Sequence, residues 1–490
     1  MQIYRRLLWA VALIVLTASA PIPRRSTPSS SGPLQFVPLI QLGPHVPSSA
    51  ITSRGGVVPD LNIHFYFPSD ITAAYGVDAV HAAGTTGAGQ TIVIVDSYGS
   101  PTALRDLQQF SSDFGLPAPN LQIYYPCGTP TFSNAMHGVQ AGWAFETSLD
   151  LQWAHAIAPD AKLVLVAANP AETEGVQGFD CIFKGEQWAI QNFPGAVLSQ
   201  SFAVTEQSFH SAAATQVARY EKVYQDAVAA RVTVLGSSGD FGTANGDKQG
   251  RLFPYPTVNW PSSDPLVTSA GGTWLQYGWK WDPTISANDF YACLSTAADP
   301  TPCFGQYLHY VASASTTEAV WKEDWLPAAT GGGRSVLFST PSFQSGISSS
   351  LLQGSRGLPD LSWNAAVDGG VLVYIGFLGG ANNGYYIIGG TSASCPQLAG
   401  VVALANQVRH LNGKQPIGYL NPVLYTLPAS AFNDTVAQTF GTGAGLTTLN
   451  SNEQYGTGIP GMVTAGGWDL TTGFGSPKVP QFVAGLAAAP

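Results

Sequence analysis

Ser392 stands in the string Gly389-Gly390-Thr391-Ser392-Ala393-Ser394-Cys395-Pro396, ahead of an apolar, helix-like run over 397–408. Glycines before a serine let a backbone or substrate come close, and a helix starting behind the hydroxyl turns its positive end toward it, which suits a nucleophile. A bare Gly-Thr-Ser more often only caps a helix, so a base, an orienter and an oxyanion donor must be found to serve it. Acidic residues offer all three. In Trp143-Ala144-Phe145-Glu146-Thr147-Ser148-Leu149-Asp150, the spacing of Glu146 and Asp150 puts both on one helical face. Residues 141–158 hold no Lys or Arg and are dominated by Trp, Phe, Leu, Ile and Ala, so that face is packed rather than solvated. Two carboxyls close together in such a setting resist joint ionisation and share a proton, as a base and its orienter do. Asp240, in Gly236-Ser237-Ser238-Gly239-Asp240-Phe241-Gly242, follows a strand-like run over 232–235. A carboxyl stabilises an oxyanion only while protonated, which calls for acid or a raised pKa. Asp96 ends another apolar run, Ile92-Val93-Ile94-Val95.

Groups so far apart in sequence meet only if the fold brings several element ends to one edge. Strand-like runs alternate with helical ones: 91–95 with 103–114, 121–125 with 141–156, 162–167 with 181–192, 196–202 with 213–230, then 232–235. This alternation predicts an α/β fold with a doubly wound, mostly parallel sheet and helices on both faces, whose sites lie at the carboxyl ends of the strands. The pattern breaks into Trp- and Tyr-rich sequence over about 275–310, read as an insertion, and resumes through Gly331-Gly332-Gly333 into a strand at 335–338.

Only 10% of the 490 residues are charged, against about 25% in an average soluble domain. A surface so poor in charge gains little self-repulsion when its carboxylates protonate, which points to an acidic milieu. Lys and Arg total 20 against 30 Asp and Glu, with no basic run after the first residues, so nucleic acid is excluded as a partner. Residues 1–20 read as a secretory signal: Arg5 and Arg6, an apolar stretch over 7–16, then Thr17-Ala18-Ser19-Ala20. Pro21 follows the Ala-x-Ala site, a poor context for cleavage. The stretch is too short to span a bilayer, so no stable membrane insertion is expected after cleavage, and the protein is expected to be secreted, extracellular and monomeric. Residues 21–64 are rich in Pro, Ser and Gly without apolar periodicity and read as a linker-like arm with no recognisable folded prodomain. Export permits disulfides: among Cys127, Cys181, Cys293, Cys303 and Cys395, the pair Cys293–Cys303 brackets a polar loop, Cys127–Cys181 is the second candidate, and Cys395 reads as a small buried apolar residue.

Two families share parts of this pattern. Asp96, Ser392 and His137, in Met136-His137-Gly138-Val139-Gln140-Ala141-Gly142, resemble the Asp-His-Ser triad of subtilisins, although subtilisins carry Asn where Asp240 stands and the surroundings of His137 match poorly. Glu146, Asp150, Asp240 and Ser392 resemble the sedolisins, the serine-carboxyl peptidases, which keep the subtilisin fold and replace histidine by glutamate. The sedolisin resemblance runs over residues 65–477. It includes Tyr66-Phe67-Pro68, Ala158-Pro159-Asp160-Ala161, Leu198-Ser199-Gln200-Ser201-Phe202 with Glu206, Ser263-Asp264-Pro265, Gly271-Gly272-Thr273, Gly331-Gly332-Gly333-Arg334-Ser335 and Pro359-Asp360-Leu361-Ser362. It implies a subtilisin-like peptidase domain over 65–490, with Ser392 as nucleophile, Glu146 as general base, Asp150 as its orienter, Asp240 as oxyanion donor and Asp96 as a further acid behind the glutamate.

Near the C-terminal end, Phe432-Asn433-Asp434-Thr435 and Ala465-Gly466-Gly467-Trp468-Asp469 set two carboxylates among carbonyls exposed by glycine turns, the hard-oxygen set that Ca2+ prefers. The resemblance implies one structural calcium ion on the carboxylates of Asp434 and Asp469 and the carbonyls of Thr435, Ala465 and Gly467, with Ala465 standing where sedolisins usually have Gly. Sedolisins generally carry a substantial folded prodomain, which residues 21–64 are too short to form. The expected function is that of a secreted, acid-active serine endopeptidase acting on polypeptides through an acyl-enzyme. The alternatives are the subtilisin-type Asp96/His137/Ser392 peptidase and a catalytically silent secreted binding protein on the same scaffold.

Overall fold

The computed structural model describes residues 37–490 apart from 39, 48–50, 52–55, 58–62, 133–138, 170–178, 248–249, 282–291, 294–302, 304–305, 307–309, 324–325 and 441–446. Its centre is an eight-stranded sheet in the order Thr317–Val320, Thr268–Gln276, Thr233–Ser237, Val197–Gln200, Thr91–Ser97, Lys162–Ala168 and Asn120–Tyr124, with Leu361–Asn364 also paired to Thr268–Gln276. Every pairing is parallel except that of Thr317–Val320. The strands are apolar on both faces, so alternate side chains enter opposite core layers. Ile92 and Ile94 enter one core layer while Val93 and Val95 enter the other, and Leu163 and Leu165 are likewise separated from Val164 and Val166. Helices Asp180–Asn192 and Ala213–Ala229 contribute to one layer, and Val139–Ile157 and Thr391–Leu411 to the other. The doubly wound α/β expectation therefore holds.

The helix Val139–Ile157, which carries Glu146 and Asp150, is buried at every position from Trp143 to Ile157. It packs against Thr391–Leu411, the helix that carries Ser392. Gly400 makes the close crossing possible: a Cβ there would stand 2.8 Å from the Ile157 Cβ.

Three features differ from or extend the sequence reading. Part of the linker-like arm is strand: Gln41–Val46 forms the edge of a second, five-stranded sheet with Gly384–Gly389, Gly370–Ile375, His64–Tyr66 and Gly56–Val57, and Val37–Pro38 pairs with Phe202–Thr205. Gly43 and Pro44 sit where an edge strand shifts register and tolerates them. The feet of the 275–310 insertion form an antiparallel ribbon, Trp279–Trp281 with Tyr310–Ala312. Disulfides join Cys127 to Cys181 and Cys293 to Cys303, and Cys395 is free and buried. Among the described residues no helix is long and apolar enough to cross a membrane.

Candidate active site

Asp96, Asp240 and Ser392 are delivered by the ends of elements, and Glu146 and Asp150 by the middle of the helix Val139–Ile157. Asp96 is the last residue but one of its strand, Asp240 follows the Thr233–Ser237 strand by three residues, and Ser392 sits in the first turn of its helix behind Gly390. Gly390 takes φ 101° and ψ 161°, a conformation that a residue with Cβ reaches only with strain. The helix begins at Thr391, earlier than the apolar run predicts, and encloses Pro396, whose missing N–H leaves the Ser392 carbonyl without its usual helical donor.

Asp96, Glu146, Asp150, Asp240 and Ser392 are all inaccessible to solvent. Ser201 Oγ donates to Asp150 Oδ1 at 3.1 Å, and Thr147 Oγ1 donates to Asp96 Oδ2 at 2.8 Å. Asp240 Oδ1 accepts from both the backbone N–H and the hydroxyl of Thr391, each at 2.8 Å, which ties this carboxyl to the residue before Ser392. Thr391 Oγ1 in turn accepts from the Gly239 N–H at 3.1 Å. Asp240 Oδ2 accepts from Gln41 Nε2 at 3.2 Å.

The acids form one electrostatic unit. Burial pushes Glu146 well above the usual carboxyl range, and the charges of Asp150 and Asp96 push it further, while the Ser392 hydroxyl opposes the rise. Asp150 is raised in the same way by burial and by Asp96, opposed by Ser201 and Glu146. Burial lifts Asp96 and Asp240 to about 7, against hydrogen bonds from Thr147 and from Thr391 and Gln41 respectively. Ser392 and Glu146 influence one another, as do Glu146 and Asp150, yet Ser392 Oγ, both Glu146 oxygens and Asp150 Oδ2 are buried without a well-aligned hydrogen-bond partner among the described residues. Catalytic hydrogen bonds are often open until substrate binds, whereas buried polar atoms left open for no reason cost about 1–3 kcal/mol each.

The four residues Glu146, Asp150, Asp240 and Ser392 are thus served by one region of the fold, with Asp96 beside the acid pair. His137 lies outside the described residues. Sequence reasoning passed over Thr147 and Gln41, and gave Ser201 and Thr391 no role of their own. Ser201 and Thr391 were detectable as hydroxyls within the quoted strings, whereas Gln41 lies in a stretch with no apolar period.

The metal candidates also come together. Gly467 N–H donates to Asp434 Oδ2 at 2.7 Å and Ala465 N–H donates to Asp469 Oδ2 at 2.9 Å, so both carboxylates reach the same exposed loop. Beside them the buried Thr435 hydroxyl has no hydrogen-bond partner among the described residues. Two carboxylates, neighbouring carbonyls and an orphaned hydroxyl fit a hard cation such as Ca2+.

No family model matches the chain. It is 30% identical to kumamolisin of Bacillus sp. (strain MN-32) over 419 residues, covering 84% of this chain and 62% of that protein. It is 27% identical to sedolisin of Pseudomonas sp. (strain 101) over 454 residues, 90% of this chain and 63% of that protein. Human tripeptidyl-peptidase 1 is 26% identical over 351 residues, 69% of this chain and 51% of that protein. The chain thus spans between half and two thirds of the length of these relatives. The solved structure of Pseudomonas sedolisin, a serine-carboxyl proteinase complexed with two molecules of pseudo-iodotyrostatin, superposes with a TM-score of 0.61 at 25% identity, covering 86% of this chain and 97% of that one.

Proposed function

We propose, for a chain that belongs to the sedolisin family, that it hydrolyses peptide bonds within polypeptides through an acyl-enzyme. Ser392 Oγ attacks the scissile carbonyl carbon while Glu146 takes its proton. Asp150 holds Glu146 in position, and protonated Asp240 donates to the oxygen on which negative charge develops. The amine leaves with the proton from Glu146. Water, deprotonated by the same carboxylate, then releases the acyl group.

One observation carries this reading: Ser392 Oγ, both Glu146 oxygens and Asp150 Oδ2 are buried, mutually influencing and otherwise unpartnered. A histidine base with a pKa of about 6.5 would be protonated in acid, whereas one of two carboxyls sharing a proton still accepts there. With Asp240 at about 7, its donor form dominates below neutrality, so activity is expected to fall from pH 4 to pH 7. The disulfides Cys127–Cys181 and Cys293–Cys303 support an oxidising, extracellular setting. A structural Ca2+ held by the carboxylates of Asp434 and Asp469 and the carbonyls of Thr435, Ala465 and Gly467 would pin the C-terminal loop.

Casein digestion at pH 4 tests the reaction. Ser392→Ala is expected to abolish it with an unchanged melting temperature, and substantial remaining activity would refute the nucleophile. Internal cleavage of an N-terminally blocked peptide separates endopeptidase from tripeptidyl-peptidase action.

A further inference from the structure

We propose that a cavity at one end of the five-stranded sheet is a second binding site, one that takes an organic cation: an ammonium or guanidinium group on an apolar stem. The cavity has a volume of about 650 Å3, within the range of small-molecule sites, and none of the proposed catalytic groups lines it. Phe67, Phe114, Tyr374 and Tyr385 supply its aromatic wall. The fold gathers these four from distant parts of the chain. Phe67 is the N-cap of the helix Pro68–Tyr75, and Phe114 is the C-cap of the helix Ala103–Asp113. Tyr374 and Tyr385 stand opposite one another on the strands Gly370–Ile375 and Gly384–Gly389. The rings run on from one to the next, Phe67 to Phe114 at 5.2 Å between centroids, Phe114 to Tyr385 at 5.5 Å and Tyr385 to Tyr374 at 5.3 Å.

Asp113 decides the sign of the ligand's charge. It is the only carboxylate on the lining, and no Lys or Arg lines the cavity. Its Oδ2 accepts from the Tyr385 hydroxyl at 2.8 Å, which ties it to the aromatic wall, and its Oδ1 accepts from Gln109 Nε2 at 2.9 Å. Both donors are neutral. Among the described residues no cation pairs with Asp113, and the last turn of its helix holds no basic residue. A carboxylate there meets the negative end of the helix dipole, so a positive charge brought to it relieves two unfavourable terms at once. Aromatic faces attract the same partner through their negative quadrupole, and they cover an apolar stem as well. The one lining group able to oppose a cation is His45, half-buried with its ring edge-on to Tyr386. Burial lowers its pKa from 6.5, so near neutrality the imidazole is uncharged. A bare metal ion would leave the aromatic wall unused. A Lys or Arg side chain of a polypeptide and a free aralkylamine would each use both the wall and the carboxylate.

Calorimetric titration at pH 7 tests the site, using the full chain with Ser392→Ala to prevent self-digestion. Three probes are compared: phenethylammonium, its neutral isostere 2-phenylethanol, and acetyl-arginine amide. The expected result is saturable binding of a cation, with 2-phenylethanol held about tenfold more weakly than phenethylammonium. Whichever cation binds more tightly tells a free amine from a polypeptide side chain as the source. Asp113 is exposed, so Asp113→Asn is expected to leave the melting temperature and the affinity for 2-phenylethanol unchanged while weakening the cations about tenfold. Phe114→Leu keeps the apolar bulk and removes a ring face, and is expected to weaken the cations about threefold or more. Equal affinity for phenethylammonium and 2-phenylethanol overturns the proposal, because the cavity would then be an apolar pocket with no preference for charge. Cation binding that survives Asp113→Asn unchanged also overturns it, since the ligand would then sit elsewhere on this acidic chain. So does a failure of both cations to saturate by about 10 mM.

Discussion

Replacing Asp240 by Asn should flatten the pH dependence of stability and carry activity to higher pH. The substitution keeps the shape, and the structure dictates how the amide must sit. Thr391 sends two donors to Oδ1, so the Asn carbonyl takes that position and its NH2 takes the place of Oδ2, where Gln41 must turn its amide so that its oxygen rather than Nε2 faces the new donor. The thermodynamic side follows from burial, which lifts the Asp240 pKa from 3.8 to about 7. A folded-state pKa above the unfolded one means that the folded form holds the proton more tightly. The proton-linked stability is therefore complete below about pH 4 and disappears as the pH rises through 7. At about 1.4 kcal/mol per pKa unit, full loss amounts to at most about 4 kcal/mol. Asn has no proton to lose. Urea unfolding at pH 4, 5.5, 7 and 8, with both forms carrying Ser392→Ala to prevent self-digestion, should show the Asn form gaining on the Asp form by up to about 4 kcal/mol between pH 4 and pH 8. With Ser392 restored, the Asn form should retain most activity at pH 4, since losing an oxyanion donor costs about 100-fold to 1000-fold and here the donor is kept. It should also lose less activity toward neutrality. A constant stability difference between the two forms across that range would refute the reasoning, because Asp240 would then already be ionised in acid and unable to donate.

Two further outcomes test the frame around the site. Arg356 and Asp360 are fully buried and paired at 2.5 Å, with the Asp360 carboxylate also accepting from the Ser269 N–H and the Tyr425 hydroxyl. Arg356→Met should lower stability at pH 7 by about 3–5 kcal/mol in urea unfolding, and adding Asp360→Asn should recover much of the loss; equal stability of the single and double variants would refute the pairing as the cause. Removal of divalent cations with a chelator should lower the melting temperature, and added Ca2+ should restore it by about 2.7 kcal/mol of stability at one hundred times its Kd. An unchanged melting temperature after verified metal removal would count against the ion.

Much of the fold was legible because the central strands are buried on both faces, so runs such as Ile92 to Val95 announce themselves without any alternation of polarity. The acid helix was legible for a different reason. Glu146 and Asp150 have no Lys or Arg on their own helix to pair with, and the helix Val139–Ile157 is accordingly enclosed on all sides rather than solvated along one. Hydroxyl partners such as Thr147 to Asp96 and Ser201 to Asp150 depend on strand register and on the crossing of helices, which no local pattern encodes. The arm was the hardest to read. Its strand at Gln41–Val46 contains Gly43 and Pro44, residues that mark a loop in any local reading, and it is a strand only because Gly384–Gly389, far along the chain, offers it an edge.

The same enclosure that hides the acids from solvent also sets the conditions under which they can work. Asp96, Glu146 and Asp150 repel one another across a buried region, and Glu146 also feels Asp240. Fully ionised, they would set several negative charges together in a medium that screens them poorly. The hydroxyl donors from Thr147, Ser201 and Thr391 soften this repulsion without neutralising it, so the cluster relieves itself by taking up protons. In the proposed mechanism, protons held there leave one carboxylate free to act as base while Asp240 keeps the hydrogen it must donate. Rising pH would disable the donor and build up repulsion behind the base together. On that proposal a glutamate base and an aspartic-acid donor are a matched pair. Either one exchanged for a histidine or an asparagine shifts the working pH of half the site, which is why Asp240→Asn alone is expected to widen the pH range only as far as Glu146 and Asp150 permit.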